Sequence, residues 1–205
     1  MPPESSKADK VIAMFDIAGF TSIPAPIAPA DLLDVLQEYL DTVFQMVESS
    51  GGTARHLNGN AVVGIWPVDT APLSRERIGR AIVEVLVRVP TLALPGGLRC
   101  VPAVGVASGP ILHASLSVAG KKIPVSLGES MNLAMRLSSS CSAMKKRILF
   151  PTSLPVIWPP SVEVEEVTPI IVKGMAGQVQ LASLKEKEAN PPLQTPASRM
   201  PAAGV

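Results

Sequence analysis

Apolar residues along the chain follow two spacings, one typical of strands and one typical of helices. The segment KVIAMFDI, which begins at Lys10, predicts a strand that ends before a Gly-containing turn. From Asp31 the apolar positions follow helical spacing. Asp31 and Asp34 lie at the N-terminal end of this helix, where the helix dipole favours negative charge. The predicted apolar stripe of the helix comprises Leu32, Leu36, Leu40, Val43 and Val47.

The rest of the pattern predicts two more helices and a series of strands. An Asn-Gly-Asn turn at residues 58–60 joins two short strands as a hairpin. Ser74 is placed to cap a second helix, and a third helix is expected at 129–138. The stripe of the second helix comprises Ile78, Ile82, Val85 and Val89, and further strands are predicted at 99–107, 110–118, 147–150, 163–167, 169–172 and 178–184. This order predicts an α+β fold whose helices pack on one mainly antiparallel sheet.

The two ends of the chain differ in composition from the middle. Residues 1–9 are polar, and residues 185–205 are rich in Pro, Ala and Ser, so neither segment buries enough apolar surface to offset its ordering entropy. We expect both ends to be disordered and residues 10–184 to form one domain. A chain of 205 residues is long enough for such a core without disulfides or metals.

Charge and cysteine content exclude several classes of protein. The formal net charge is +1 with acids and bases interspersed, which argues against a nucleic-acid or anionic-membrane partner. Cys100 and Cys141 lie far apart and in no metal-binding motif, so we expect buried thiols in a reducing compartment. The N-terminus has no apolar signal segment, and charges and Pro90 interrupt the apolar run 81–94. These features predict a cytoplasmic location.

Five segments then occur in a particular order along residues 10–184. They are MFDIAGFTSI, GGTARHLNGNAVVGIW, VGVASGPI, SLGESMNLAMRLSS and IIVKGMAGQVQLASL. Their order and spacing resemble the catalytic domain of class III nucleotidyl cyclases, the adenylate and guanylate cyclase family. The resemblance implies a ferredoxin-like α+β fold and a head-to-tail pair of chains with active sites in the cleft between them. It also implies two Mg²⁺ ions that activate the ribose hydroxyl and clamp the triphosphate for cyclisation.

The resemblance gives roles to residues at the end of the first strand. Asp16 matches the first metal-binding aspartate of the family, and Ile17 matches the residue whose carbonyl completes the coordination. Gly19, Phe20 and Thr21 match the turn whose backbone N–H groups cradle the triphosphate. An Asp that only caps a strand-to-helix turn is the alternative interpretation of Asp16.

Three further residues match the family's phosphate-binding groups. Asn132 and Arg136 are four residues apart on one predicted helix and coincide with its transition-state pair. Lys173 falls where a family lysine meets the β- and γ-phosphates. A solvated arginine near a helix end and an ordinary surface lysine are the alternatives.

Other positions depart from the family pattern. Asn60 replaces the second metal-binding aspartate and brings no charge. His56 replaces the lysine that reads the purine, and Val125 replaces the acid or hydroxyl that reads the base edge. Ala103 stands where many members carry an arginine near the phosphates. The departures from the family pattern therefore affect the residues for metal binding and base recognition.

Three functions remain open at this point. One is an active cyclase that forms a homodimer and uses Mg²⁺ or Mn²⁺. Another is a dimerising regulatory pseudo-cyclase without turnover, and the third is a heterodimer in which this chain lends Asn132, Arg136 and Lys173 to a partner. Loss of the second carboxylate and of the base-reading pair favours the non-catalytic function, with weak binding of metal and of nucleoside triphosphate.

Overall fold

The structure is a computed structural model that describes residues 6–20, 29–92, 99–171 and 177–185. This part of the chain forms three α-helices and eight strands. In chain order they are β1 (Ser6–Ile17), α1 (Pro29–Ser49), β2 (Thr53–Asn58), β3 (Ala61–Pro67), α2 (Pro72–Arg88), β4 (Pro102–Val118), β5 (Lys121–Leu127), α3 (Glu129–Ser140), β6 (Ile148–Pro151), β7 (Glu163–Ile171) and β8 (Gln178–Lys185). A short 3₁₀ turn, Val89–Thr91, follows α2. Within these residues no helix is long and apolar enough to cross a membrane.

The strands form one sheet in the order β2-β3-β1-β4-β6-β8-β7, and β5 pairs with the far half of β4. Strand β1 lies between β3 and β4 and is antiparallel to both. Among the described pairings only that of β4 with β6 is parallel. The predicted α+β fold with a mainly antiparallel sheet is confirmed.

Both faces of the sheet are covered, and each face has its own core. Side chains alternate between the faces of a strand, so neighbours along β1 enter different cores. Val11, Ala13 and Phe15 pack with α1 and α2, whereas Ile12 and Met14 pack with α3. A residue at an even position of β1 therefore faces α3, which fixes the direction of Asp16.

Helix α1 buries the predicted stripe in its second half, and in its first half the most deeply buried positions lie beside the predicted ones. Val43 and Val47 are buried as expected, but Leu32, Leu36 and Leu40 are only partly buried. The fully buried positions continue as Val35 and Tyr39, at four-residue steps from Val43 and Val47. The apolar face of α1 is wide enough to include both sets of residues, so the sequence pattern alone did not show which set is more deeply buried.

Helix α2 starts before the predicted cap. The helix begins at Pro72, a residue favoured in the first helical turn, so Ser74 lies inside it. The carboxylate of Asp69 instead accepts hydrogen bonds from the Ala71 N–H at 2.9 Å and from the Ser74 hydroxyl at 2.8 Å. These bonds hold the pKa of Asp69 below its ordinary value. The apolar stripe Ile78, Ile82, Val85 and Val89 is buried, as predicted.

Strand β4 corrects the prediction of two strands at 99–107 and 110–118. The chain continues as one strand from Pro102 to Val118, and Gly109, with a φ of 149°, lies within it. The hairpin turn lies later, at Ala119 and Gly120, which both have positive φ. Strands predicted at 163–167 and 169–172 likewise form the single β7, with a register shift between Val167 and Ile170.

The ends of the domain also differ from expectation. Strand β1 begins at Ser6 and pairs Ser6 to Asp9 with His113 to Pro110, so residues 6–9 are not disordered as predicted. The pairing extends the strand because β4 is long enough to accompany it. The remaining residues of the two ends lie outside the described residues.

Both cysteines are free and fully buried, as expected. Burial raises the pKa of Cys100 to about 11 and that of Cys141 to about 12. Both thiols are therefore protonated and unreactive near neutral pH.

Gly105 allows α3 to pack directly on the backbone of β4. A Cβ at this position would lie 2.0 Å from the Ala134 carbonyl oxygen and 2.3 Å from the Ser138 nitrogen. Both are backbone atoms of α3, so no side-chain rotation relieves the overlap. The close approach also allows the Ser138 hydroxyl to donate to the Ala103 carbonyl at 3.0 Å.

We predict that Gly105→Ala lowers the free energy of unfolding by about 3 kcal/mol or more, because α3 must move off the sheet. Urea unfolding measures the change. Ser108→Ala, at a half-buried site on the same strand, serves as the control and should change stability by less than about 0.5 kcal/mol. Equal stability of the two variants would show that α3 does not pack on Gly105.

Candidate functional site

The candidate site lies where β1 ends at the centre of the sheet. Asp16 lies opposite Ala103 of β4, and its even position directs the side chain towards α3. The carboxylate is half-buried. Continuing the β1–β3 register beyond Phe15 and Val62 brings Ile17 beside Asn60, which follows the left-handed Gly59 at the hairpin turn.

Hydrogen bonds join these residues into one cluster. Asp16 Oδ1 accepts from the Ile17 N–H at 2.8 Å and from the Nδ2 group of Asn60. The same Nδ2 group donates to the Ile17 carbonyl at 3.2 Å. Asn60 is 8% exposed. The structure therefore brings together all three residues that the resemblance assigned to metal binding.

A cavity of about 180 Å³ opens beside this cluster. It is lined by Asp16 and Asn60, by the turn 18–20, by Ala103, and by serines at and just after the end of α3. A side chain longer than alanine at position 103 would project towards this space. The serines are Ser138, Ser139 and Ser142, which the sequence analysis did not select because a serine-rich helix end carries no distinctive signal.

Burial dominates the electrostatics of Asp16. Desolvation raises the pKa of its carboxyl above the ordinary value, while the bonds from the Ile17 N–H and the Asn60 amide lower it in part. Among the residues that the structure describes, no other carboxylate contributes to this shift.

The turn after Asp16 contains a glycine in the left-handed conformation. Gly19 has a φ of 71°, a conformation that glycine adopts without strain. The Ala18 N–H donates to the Val101 carbonyl at 2.8 Å, and Gly19 and Phe20 line the cavity. Thr21 and Lys173 lie outside the described residues.

Asn132 and Arg136 lie on the exposed side of α3, away from the sheet. The opposite side of the helix is buried and carries Leu133, Ala134 and Leu137. Neither exposed residue lines the Asp16 cavity, and neither forms an ion pair with the described residues. Within one chain the structure thus separates this pair from Asp16.

The predicted base-reading residues also lie apart from the Asp16 cavity. His56 is exposed on β2, and its Nε2 lies 2.8 Å from the Gly59 carbonyl oxygen of the adjacent turn. Val125 is half-buried on β5 opposite Ala114 of β4. Neither residue lines the cavity. The histidine ring is hydrogen-bonded to its own hairpin, as a residue that stabilises the turn would be.

Tyr39 is a buried polar side chain that the sequence analysis did not select. Its side chain is fully buried, and its hydroxyl has no hydrogen-bond partner among the described residues. Desolvation, followed by the charges of Asp16 and Cys100, raises the pKa of this phenol well above its ordinary value. An aromatic residue in a helical stripe gives no sequence signal for such a position.

Comparisons with known proteins found one similar sequence and many similar folds. No protein-family model matches the chain. The terminal-differentiation-specific adenylate cyclase of Dictyostelium discoideum is 26% identical over 144 residues, which cover 68% of this chain but 7% of that protein. The chain thus spans a small part of that relative.

Solved structures share the whole fold. The adenylyl cyclase CyaB of P. aeruginosa superposes with a TM-score of 0.72 at 18% identity, covering 91% of this chain and 98% of that one. The guanylate cyclase domain of RhGC from Catenaria anguillulae, solved in complex with GTP, gives a TM-score of 0.71 at 17% identity and covers 89% and 100%. The resemblance to the class III cyclase catalytic domain is therefore confirmed, in sequence and in fold.

The residues at the Asp16 cluster do not fit the two Mg²⁺ ions that the resemblance implies. Asp16 supplies one carboxylate, and Asn60 presents a hydrogen-bond donor to it. The Ile17 carbonyl accepts from the same donor. In the described part of the chain no three His, Cys, Asp or Glu side chains lie close enough to hold a metal ion. A divalent ion needs several anionic or neutral oxygens directed at one point.

We predict that Tyr39→Phe leaves the free energy of unfolding unchanged or raises it by up to about 1 kcal/mol, because the buried hydroxyl loses its solvation without gaining a partner. Tyr39→Ala, the control for packing, should lose about 3–5 kcal/mol. Thermal and urea unfolding measure both. A marked loss of stability in Tyr39→Phe would mean that the hydroxyl is hydrogen-bonded.

Proposed function

We propose that this chain is a class III cyclase-like domain of cyclic-nucleotide signalling that acts as a dimerising regulatory pseudo-cyclase with little or no turnover. The observation that carries the proposal is the bond from the Asn60 amide to Asp16, at the place where the family resemblance puts a pair of carboxylates. Binding of Mg²⁺ or Mn²⁺ is accordingly weak in this proposal.

The missing carboxylate is a large loss on electrostatic grounds. Two unit charges 4 Å apart interact by about 4 kcal/mol at an effective dielectric constant near 20, and a divalent ion interacts more strongly. Each 1.4 kcal/mol corresponds to about a tenfold change in rate. A cyclase site that lacks this charge at the transition state therefore loses several orders of magnitude in rate.

The loss of base recognition supports the same proposal. Val125 offers neither a donor nor an acceptor to a base edge. His56 lies within hydrogen-bonding distance of the Gly59 carbonyl, so one ring nitrogen already has a partner. Discrimination between bases depends on polar groups that the wrong base leaves unpaired. A bound nucleoside triphosphate would therefore be held mainly through its phosphates, with little selectivity between ATP and GTP.

A second candidate function is one half of an active heterodimer. Asn132 and Arg136 face outwards on α3, away from the cavity of their own chain. A partner chain that holds both aspartates could receive this pair in the head-to-tail arrangement that the resemblance implies. Arginine suits the task because its planar guanidinium binds two phosphate oxygens at once.

An exposed apolar surface supports a dimer in either case. The arm formed by β5 and the outer half of β4 carries Leu116 and Ile123 opposite each other, at 45% and 44% exposure. Leu112, Val118 and Leu127 of the same arm are also exposed. Contiguous apolar residues of this kind mark an interaction surface, and a second cyclase-like chain is the partner that the proposed function requires.

We predict that the purified chain with ATP or GTP and Mn²⁺ forms no cyclic nucleotide above the level of Asp16→Asn, as quantified by mass spectrometry. The variant controls for contaminating cyclases, because it removes the remaining carboxylate. Product that depends on Asp16 contradicts the pseudo-cyclase. The heterodimer is tested by adding an active cyclase chain that lacks its own Asn–Arg pair. Cyclic nucleotide that forms only in this mixture, and not with Arg136→Ala, favours the heterodimer.

We predict a dimer in light scattering at tens of micromolar protein and a monomer for Leu116→Lys, because a charge on the arm opposes its burial. Ile171→Lys is the matched control, since Ile171 is 77% exposed on β7, which pairs with β8 and with no strand of the arm in the described residues. A monomeric mass for the unmodified chain contradicts a homodimer, and an unchanged dimer in Leu116→Lys places the interface elsewhere.

A further inference from the structure

The side-chain amide of Asn60 lies between two oxygen atoms that the family resemblance assigns to metal coordination. Its Nδ2 group donates to Asp16 Oδ1 and to the Ile17 carbonyl oxygen, the latter at 3.2 Å. The register of β1 with β3 brings these groups together, since Ile17 lies opposite Asn60 just beyond the last paired residues. One amide group thus satisfies both oxygens.

Chemistry fixes the orientation of this amide. A carboxylate and a peptide carbonyl both accept hydrogen bonds and donate none. The amide oxygen would be repelled by both, so the nitrogen must face them. The Ile17 N–H is a further donor to the same carboxylate oxygen, at 2.8 Å. Asp16 is therefore held by hydrogen-bond donors alone among the described residues.

We infer that the Asn60 amide takes the place of a divalent cation in this fold and closes the site without metal. The inference rests on the assignment of Asp16, Ile17 and Asn60 in the proposed function, and it adds a structural role for the substitution. An amide with two N–H groups supplies the positive ends of two dipoles between the oxygens. It joins the end of β1 to the β2–β3 turn, as a cation between two carboxylates would.

This role makes a prediction about stability. In the unmodified chain the cluster is complete, so divalent ions should add nothing to the folded state. In Asn60→Asp two carboxylates and a carbonyl face one another. The Ile17 carbonyl loses its donor, and Asp16 keeps only the Ile17 N–H. Burying such an arrangement without a counter-charge is strongly unfavourable. Added Mn²⁺ should supply the missing positive charge and stabilise only the variant.

Thermal unfolding in EDTA and in millimolar Mn²⁺ tests the inference. In EDTA we expect Asn60→Asp to unfold about 6 °C or more below the unmodified chain. In Mn²⁺ we expect the variant to recover at least half of this difference while the unmodified chain shifts by less than about 1 °C. Calorimetry on the same samples should detect Mn²⁺ binding only to the variant.

Two further variants separate the amide from the added charge. Asn58→Asp places the same charge on an exposed residue of the same turn. Its unfolding temperature should equal that of the unmodified chain both in EDTA and in Mn²⁺. Asp16→Asn combined with Asn60→Asp restores one amide facing one carboxylate. We expect this double variant to recover about half of the loss in EDTA, because the Ile17 carbonyl still lacks its donor. It should not respond to Mn²⁺.

Several outcomes would overturn the inference. One is an unfolding temperature of the unmodified chain that rises in Mn²⁺ as much as that of Asn60→Asp. Others are equal unfolding temperatures of these two proteins in EDTA, or no rise for Asn60→Asp in Mn²⁺. The last is a double variant that unfolds at the same temperature as Asn60→Asp in EDTA. Turnover enters none of these measurements. A chain that makes cyclic nucleotide but unfolds independently of Mn²⁺ would therefore refute the proposed function and leave this inference standing.

Discussion

The antiparallel pairing of β1 with both β3 and β4 is the constraint on which the rest of the structure depends. It fixes which side chains of β1 face each core, since alternate residues pack against α1 and α2 or against α3. It also brings the end of β1 to the β2–β3 turn and to Ala103. Gly105 then allows α3 to close over that end of the sheet. The candidate site is a consequence of strand register, together with the left-handed glycines at positions 19 and 59.

The same constraint explains what could be predicted from the sequence. The strand of residue 16, the hairpin at residues 58–60 and the stripe of α2 were predicted because each depends on a local period or turn signal. The long β4 was divided in two because Gly109 resembles a turn in sequence, whereas pairing with β1 and β5 keeps the chain extended. In the first half of α1 the prediction chose Leu32, Leu36 and Leu40, whereas tertiary packing buries the adjacent Val35 and Tyr39 more deeply.

The site was predicted in part. The resemblance grouped Asp16, Ile17 and Asn60, and the structure places them in hydrogen-bonding contact. The sequence could not indicate which end of the Asn60 amide faces Asp16, since that depends on the acceptors around it. It also gave no sign of Tyr39 or of the serines at the end of α3, whose position depends on contacts between distant segments. Asn132 and Arg136 lie on the exposed side of α3 and do not line the Asp16 cavity.

The central claim is that an amide, and no metal ion, completes the Asp16 cluster. A crystal structure of the unmodified chain soaked in millimolar Mn²⁺, with anomalous scattering measured at the manganese edge, tests it most directly. The account predicts no anomalous peak within bonding distance of Asp16 and a hydrogen bond from the Asn60 amide to the carboxylate. A manganese ion bound to Asp16 and the Ile17 carbonyl, with the Asn60 amide displaced or its oxygen turned towards the ion, would contradict it.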